Sequence, residues 1–299
     1  MSSGHSPPAS HPPPRVSVLL VTYNHAPYIA QAVESVLAQQ GHGGLELVIG
    51  EDCSTDHTRA ILQQFADRNP DRIRLLVRQL NLGLSENLRS AWRECRGDYI
   101  AMLEGDDYWT DPLKLHKQVA ALDAHPGWTM CFHRIQVTNE AGQPPFLEPQ
   151  EDNFPVETTL ADILRRNFIG NVSTVYRRGV VPEVPDDLQR VVHQDWPLHV
   201  LHAQRGTIGY LPDSMGVWRH HAGSMWSSKP EAVRWQWIFE FYDLVEDLLG
   251  AEHRPAVRSA RLEAVRKLCA DRDRALMSRD YRYGAALLQP LRAIRKWLH

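Results

Sequence analysis

The sequence predicts an α/β fold with a mostly parallel central sheet, flanked by helices and followed by a C-terminal helical extension. In the first third of the chain, short apolar runs rich in β-branched residues alternate with amphipathic stretches of helical length. Strands that alternate with helices in this way form a parallel, doubly wound sheet. Beyond residue 229 the periodicity is helical throughout, which predicts the extension.

Length and composition limit the classes of protein to consider. With 299 residues, the chain can form one large α/β domain with a helical appendage. Its net charge of -3 argues against binding nucleic acid by bulk phosphate attraction. The four cysteines form no C-x-x-C pair, so we expect neither a zinc cluster nor disulfides, as in a reducing cytoplasm. The proline-rich residues 1–14 lack the apolar core of a signal peptide and predict a disordered tail.

Three strand–turn–helix units open the predicted sheet. The predicted strands cover 16–21, 45–50 and 73–77. Helices are predicted at 27–40 and 58–69 after the first two, and the third strand leads into the stretch 81–87 and a helix through Arg93. A fourth strand, 98–103, leads into an acidic turn, after which Asp111 is expected to cap a helix that has Pro112 at its first position.

Polar residues follow the strands where each strand ends, in the turns 22–24, 51–56 and 104–107. Because ligands of open α/β sheets bind beyond the carboxyl ends of the strands, we expect these three turns to meet in one crevice. A nucleobase and its ribose need a flat contact and fixed acceptors, which Tyr23, Glu51 and Asp52 can supply.

The acidic turn holds Glu104, Asp106 and Asp107. Carboxylate oxygens suit Mg²⁺ or Mn²⁺, which bind one or two carboxylates together with substrate phosphate oxygens. The chain contains no G-x-x-x-x-G-K-S/T loop, and no G-x-G-x-x-G follows the first strand. Because these phosphate-binding loops are absent, a cation held by the acidic turn is the expected partner of a bound diphosphate. The alternative is an acidic turn that is merely solvated.

Four motifs, in this order, resemble the nucleotide-binding half of the family 2 glycosyltransferases. They are Val-Ser-Val-Leu-Leu-Val-Thr-Tyr-Asn, Glu-Asp-Cys-Ser-Thr-Asp, Asn-Leu-Gly-Leu-Ser-Glu-Asn and the acidic Glu-Gly-Asp-Asp-Tyr-Trp. The resemblance implies the Rossmann-like A-type glycosyltransferase fold, inversion at the anomeric carbon, a nucleotide-sugar donor, preferably a UDP-sugar, and Mn²⁺ or Mg²⁺. It implies a catalytic domain over 15–228, with a nucleotide-binding half at 15–110 and an acceptor half at 111–228, and a helical region at 229–299.

The resemblance also implies roles for single residues of the donor site. Asp106 would bind the metal, and Glu104, where the family commonly has aspartate, would lie near the ribose or in the metal shell. Cys53, where the family usually has glycine, is expected only to pack. The residues expected to bind the nucleotide are Thr22, Tyr23, Asn24, Glu51, Asp52, Asn81, Glu104, Gly105 and Arg219.

The second half is expected to supply a base. Its predicted elements are helices at 113–125 and 159–166, a strand at 128–135, a surface loop at 140–155, a loop entering a strand at 168–176 and a helix through 199–204. Inverting transfer needs a carboxylate that takes the proton of the incoming hydroxyl. In the family, an acid followed by Asp or Trp has this role, which implies Asp195. The alternative role of Asp195, as a helix N-cap, is compatible with it.

The segment 218–226 is expected to complete the metal site. Imidazole is a good ligand for Mn²⁺. In similar family members, a histidine two residues after an arginine closes the metal shell, which implies His221 and leaves His220 without a catalytic role. Arg219 is expected to approach the diphosphate, and Trp226 to cover the donor or the acceptor.

The C-terminal helices are predicted at 235–249, 256–274 and 283–299. They are expected to pack on the catalytic domain or to form a homodimer. The alternative is peripheral contact of the basic last helix with the inner face of a membrane, which suits a lipid-linked acceptor. A saccharide or a peptide is the other expected acceptor.

Two other functions remain open at the level of sequence. One is a nucleotidyltransferase or nucleotide-sugar hydrolase on a similar sheet, and the other is a non-catalytic nucleotide-binding module.

Overall fold

The structure is a computed structural model that describes residues 13–140, 142–226 and 228–277. Its strands are β1 Val16–Thr22, β2 Leu45–Glu51, β3 Ile73–Val77, β4 Tyr99–Glu104, β5 Tyr108–Trp109, β6 Trp128–Asn139, β7 Phe146–Glu148, β8 Glu157–Thr158, β9 Val175–Arg177 and β10 Thr207–His220. Its helices are α1 Ile29–Leu37, α2 Thr58–Arg68, α3 Gly83–Glu94, α4 Lys114–Ala124, α5 Leu160–Arg165, α6 Asp195–Ala203, α7 Glu231–Leu248 and α8 Arg254–Met277.

The strands form one mixed sheet in the order β3-β2-β1-β4-β9-β6-β10-β5. The long ladders are parallel and join β1 to β2 and β4, β2 to β3, and β6 to β10. Short antiparallel ladders attach β9, β5, β7 and β8. The predicted α/β class, with a mostly parallel sheet between helices, is confirmed.

The sheet carries a hydrophobic core on each face because β1 is buried along its whole length. Leu19 and Val21 of β1 point into one core, and Val18 and Leu20 point into the other. Successive side chains of a strand alternate between faces, and a central parallel strand therefore needs an unbroken apolar run. The apolar residues of α1 recur at helical spacing and pack on the second core.

The C-terminal helices share a core with the rest of the chain. Phe241 of α7 stacks on Trp196 of α6, with ring centroids 3.7 Å apart, and the Tyr242 hydroxyl donates a hydrogen bond to the Leu164 carbonyl oxygen of α5. Val257 of α8 is buried in the same cluster. The expected packing of this region on the catalytic part is thus observed for α7 and α8, while the domain limits at 15, 110 and 228 stay predictions.

Two predictions concern residues outside the described part of the chain: the last helix at 283–299, and the disordered N-terminal tail at 1–14, most of which is not described. Within the described part, no helix combines the length and the apolar character needed to cross a membrane.

Several local predictions were wrong. Asp111 does not cap helix α4, which begins at Lys114. Instead, Asp111 accepts a hydrogen bond from the Leu113 amide in a turn that contains Pro112. Asp195 is not an N-cap but the first residue of α6. The predicted loop at 140–155 contains β7, which pairs with β6.

The 14-residue strand β10 was not predicted. Its pairing with β6 shifts register between Leu211 and Ser214 and again between Ser214 and Val217. These irregularities break the alternation of apolar and polar residues by which a strand is recognised in a sequence.

Candidate active site

The polar turns meet because their strands are neighbours in register. Thr22 at the end of β1 pairs with Glu51 at the end of β2, and Val21 pairs with Glu104 at the end of β4. A cavity of about 1440 Å³ opens beyond these ends. Most of the predicted site residues line it, namely Thr22, Tyr23, Asp52, Asn81, Glu104, Asp106, Asp195 and His221.

Asp106 lies at the centre of the polar end of this cavity. Its Oδ2 atom is 3.0 Å from Nε2 of His221 and 3.8 Å from Nε2 of His25. Its Oδ1 atom is buried and has no hydrogen-bond partner. Carboxylate oxygens of Glu104 and Asp107 lie within 4.8 Å of Asp106 and of one another.

The residues present fit a hard divalent cation. They offer several carboxylate oxygens and an imidazole, the donor types that bind Mn²⁺ or Mg²⁺. The buried and unpartnered Oδ1 of Asp106 is the clearest sign, because a buried acceptor without a partner is costly. Glu104, Asp106 and His221 are the residues that would hold the ion.

The carboxylates of the acidic turn interact electrostatically. Burial, and then the charge of Asp106, raises the pKa of Glu104 to about 7. The same two causes raise the pKa of Asp107 well above its usual value. Burial also acts against ionisation of Asp106, but the hydrogen bond from His221 and the charge of His25 outweigh it and lower the pKa. Adjacent buried acids therefore share one site in which positive charge is favourable.

Arg219 contacts the acidic turn from outside the cavity. Its backbone amide donates to Oδ1 of Asp107, and its guanidinium donates to the Asp106 carbonyl oxygen and to the Gln31 side chain. The guanidinium also lies 4.3 Å from the ring centroid of Tyr108. Arg219 is not among the residues that line the cavity. The structure thus gives Arg219 protein partners, and its predicted contact with a diphosphate stays a prediction.

Three more predicted site residues, Asn24, Glu51 and Gly105, are not among those that line the cavity. The buried Glu51 accepts hydrogen bonds from the Ser54 amide and the Arg59 side chain, both at 2.6 Å. Asn24 Oδ1 accepts from the Thr55 amide at 2.8 Å and so joins the first turn to the second. Gly105 has no side chain to offer. These residues shape the turns, and their predicted contacts with a nucleotide stay predictions.

Position 105 requires glycine because side chains of the turn after β1 approach it closely. A Cβ atom there would lie 2.4 Å from Oγ1 of Thr22 and 2.8 Å from Nδ1 of His25. The turn after β4 therefore packs directly on the turn after β1.

In the turn after β2, Cys53 has a φ of 60°, a backbone conformation that favours glycine and so explains the glycine that the family resemblance implies at this position. The predicted packing role of Cys53 agrees with its half-buried position.

Asp52 and Asn81 belong to a second hydrogen-bonded corner. The two carboxylate oxygens of Asp52 accept from the amides of Leu82 and Gly83, at 2.7 and 2.9 Å. Asn81 Oδ1 also accepts from the Gly83 amide, at 3.0 Å. Tyr23 is 42% exposed beside them and lines the cavity. This corner combines a flat ring with fixed acceptors.

Asp195 lines the same cavity from the first turn of α6. Its Oδ2 atom accepts a hydrogen bond from Nδ2 of Asn167 at 3.0 Å. A second asparagine, Asn171, donates to Oε1 of Glu104 at 2.9 Å. No role is predicted for Asn167 from the sequence, and Asn171 is predicted only to lie in the loop at 168–176, without a contact to the acidic turn. Sequence reasoning also missed His25, which its place in the first polar turn could have revealed.

Comparison with known proteins agrees with this geometry. Residues 17–181 match the family model described as Glycosyl transferase family 2. A similar protein of Mycobacterium tuberculosis, the uncharacterised Rv1520, is 41% identical over 218 residues, which are 71% of this chain and 61% of Rv1520. The chain thus spans about three fifths of the length of this curated relative.

Two solved structures show the same fold. Residues 1–349 of Staphylococcus aureus TarS in complex with UDP-GlcNAc superpose with a TM-score of 0.57 at 21% identity, over 82% of this chain and 79% of that one. The mannosyltransferase PcManGT of Pyrobaculum calidifontis, in complex with GDP-Man and Mn²⁺, gives 0.60 at 19% identity, over 97% and 86%. With the family match covering more than half of its residues, the chain belongs to glycosyl transferase family 2.

Proposed function

We propose that this protein is a metal-dependent inverting glycosyltransferase. It would move a sugar from a nucleoside-diphosphate sugar, preferably a UDP-sugar, to an acceptor hydroxyl in the synthesis of a polysaccharide, glycolipid or glycoconjugate. One observation carries the proposal: the Asp106–His221 pair and the carboxylate of Asp195 line the same cavity as the polar turns.

The donor end of the cavity supplies what a nucleotide needs. Tyr23 offers an exposed ring face for stacking, and the corner at Asp52 and Asn81 offers fixed acceptors. The nucleotide sugars bound by TarS and PcManGT support this class of donor. Mn²⁺ in PcManGT likewise supports a divalent ion at Asp106, Glu104 and His221. When bound, such an ion supplies Lewis acidity that stabilises the charge of a departing diphosphate.

Asp195 is the proposed general base. The acceptor oxygen attacks the anomeric carbon, its new C–O bond forms as the bond to the diphosphate oxygen breaks, and the diphosphate leaves with the electron pair. Asp195 accepts the proton of the attacking hydroxyl. The hydrogen bond from Nδ2 of Asn167 orients this carboxylate at the start of α6.

A two-stage experiment tests the proposal. The first stage measures the thermal stability of the protein with UDP-, GDP- and dTDP-sugars, with and without Mn²⁺ or Mg²⁺, because a bound ligand raises stability by mass action. The second stage measures release of nucleoside diphosphate with and without a saccharide acceptor. Release that does not depend on the acceptor would indicate a nucleotide-sugar hydrolase. Tight nucleotide binding without any turnover would indicate a binding module.

A further inference from the structure

The cavity extends well beyond the donor end, along the C-terminal helices. There it is lined by three tryptophans and by charged side chains of α5, α7 and α8 that face the same space, namely Trp226, Trp235, Trp237, Arg165, Arg166, Arg234 and Lys267. The part lined by α7 and α8 lies outside residues 17–181, which match the family model.

The aromatic side chains of this part form a continuous surface next to Asp195. The rings of Trp226 and Trp237 have centroids 6.0 Å apart, and the His193 ring is 5.4 Å from Trp226 and 6.5 Å from Trp237. His193 precedes Asp195 by two residues and stacks on Trp196 on its other side. Both ring nitrogens of His193 are buried without a hydrogen-bond partner.

Flat aromatic surfaces of this kind suit sugars. The C–H groups on one face of a pyranose carry partial positive charge, and the face of an indole ring is negative. A sugar ring on Trp226 and Trp237 would present its hydroxyls toward the cavity rim and toward Asp195. A purely lipidic ligand would have no use for the unpartnered nitrogens of His193.

Arg234 adds a positive charge to this surface. Its guanidinium carbon lies 6.0 Å from the ring centroid of Trp226, and its Nε atom is buried without a partner. Within the described residues, no carboxylate forms an ion pair with it. Neighbouring arginines do have such partners: Arg190 pairs with Asp247, Arg258 with Glu246 and Arg261 with Asp243.

Arg234 lines the same cavity as His220 and His221. An anionic group held by Arg234 would therefore lie in the same cavity as the tryptophans and the proposed reaction centre. Arg219 is held by the acidic turn, whereas Arg234 forms no ion pair among the described residues and so has capacity for a ligand.

From this arrangement we infer that the tryptophan surface binds the acceptor, and that the acceptor is a saccharide with an anionic group, a carboxylate or a phosphate, which pairs with Arg234. The inference rests on the proposed glycosyl transfer and names its acceptor class. Trp226 and Trp237 would hold the sugar ring, and Arg234 would select for the charge. Arg234 is then a specificity-determining residue, and Asp195 remains the base.

The test measures sugar binding without the donor. Tryptophan fluorescence and calorimetry of the full chain, in EDTA and without nucleotide, would follow three probes: methyl β-glucoside, methyl β-glucuronide and glucose 1-phosphate. We expect the two anionic probes to bind about 10-fold more tightly than the neutral one. The difference between the glucuronide and the phosphate tells a uronic acid from a glycosyl phosphate. Equal affinity for all three probes, or no binding of any, would overturn the inference.

Variants separate the two parts of the surface. Arg234→Gln should reduce the affinity for both anionic probes to that for the glucoside, and Trp237→Ala should weaken all three by about 10-fold. Trp237→Leu replaces the alanine variant should that one unfold, and Trp237→Phe should restore much of the binding. Arg266→Gln on α8 is the matched control, because Arg266 is exposed and does not line the cavity.

A donor measurement on the same variants completes the test. Arg234→Gln should leave binding of UDP with Mn²⁺ unchanged. Weaker UDP binding with unaltered sugar binding would assign Arg234 to the diphosphate and overturn its acceptor role. Sugar binding as expected in a protein that binds no nucleotide would support the sugar site and contradict only the proposed transfer.

Discussion

Nε2 of His221 lies 3.0 Å from Oδ2 of Asp106, although 115 residues separate the two in the chain. Asp106 follows β4, whereas His221 follows β10, on the other side of β9 and β6 in the sheet. Both residues line the cavity. The hydrogen bond to Asp106 is also the largest cause of the raised pKa of His221.

The first prediction concerns this pair. His221→Ala should weaken Mn²⁺-dependent binding of UDP by at least the roughly 10- to 100-fold that loss of a supporting group costs at a metal site. Calorimetry with and without Mn²⁺ measures the effect. His220→Ala is the control, since His220 lines the same cavity without contacting Asp106 and should bind nearly as the wild type does. Equal affinities in the His221 variant and the wild type would remove His221 from the metal site.

The second prediction concerns the base. Asp195→Asn should lower kcat by about 10² to 10⁴-fold with little change in donor affinity, because the amide keeps the shape but cannot accept the proton. Steady-state release of nucleoside diphosphate and donor calorimetry give the two quantities. Asp187→Asn, at an exposed acid ahead of α6, should behave as wild type. A variant at Asp195 that retains full turnover would require another base.

The third prediction concerns the close contact at Gly105. Gly105→Ala should reduce the free energy of unfolding by about 1–3 kcal/mol and weaken nucleotide binding, because the added Cβ would clash with Thr22 and His25. Urea denaturation and donor titration measure these changes. Thr22→Ala in the same chain should recover part of the stability by removing Oγ1.

Gly127→Ala is the matched control for that experiment. A Cβ at Gly127 would meet no atom within 4 Å, and its φ lies outside the left-handed region. Comparable losses at Gly127 and Gly105 would show that the effect comes from the backbone and not from the packing of the two turns.

The fourth prediction concerns acid stability and three buried histidines. Burial lowers the pKa of His199 to about 4, and of His133 and His202 to about 3, from an ordinary value of 6.5. The unfolded chain therefore binds more protons between the folded and unfolded pKa values. Stability should be fully present above pH 6.5 and fall as the pH drops below it, by about 1.4 kcal/mol per pH unit for each histidine at most.

His199→Leu tests this linkage. The variant should lose stability less steeply than the wild type between pH 6.5 and pH 4.5 in urea denaturation. His57→Leu changes an exposed histidine and should leave the slope as it is. Parallel curves for the wild type and the His199 variant would mean that His199 does not titrate on unfolding.

Much of the fold follows from local pattern. The apolar runs of β1, β2, β3 and β4, and the polar turn after each of the first, second and fourth, are visible as short stretches of sequence. Parallel strands place such turns at one edge of the sheet, so the crevice and most of its lining residues could be predicted. Strand β10 could not be predicted, because its bulges interrupt the alternation of apolar and polar residues by which a strand is recognised in a sequence.

Local sequence identifies the type of each residue, but it does not show the direction in which the side chain points. Glu51 and Arg219 have the chemistry of ligand-binding residues, yet packing turns them toward Arg59 and toward the acidic turn. Arg234 lies in a helix that local pattern marks only as an extension, and long-range packing brings it to the cavity. The polar residue types at the strand ends can be read from short stretches of the chain. The partner of each side chain depends on contacts between distant segments, which form only when the whole core is assembled.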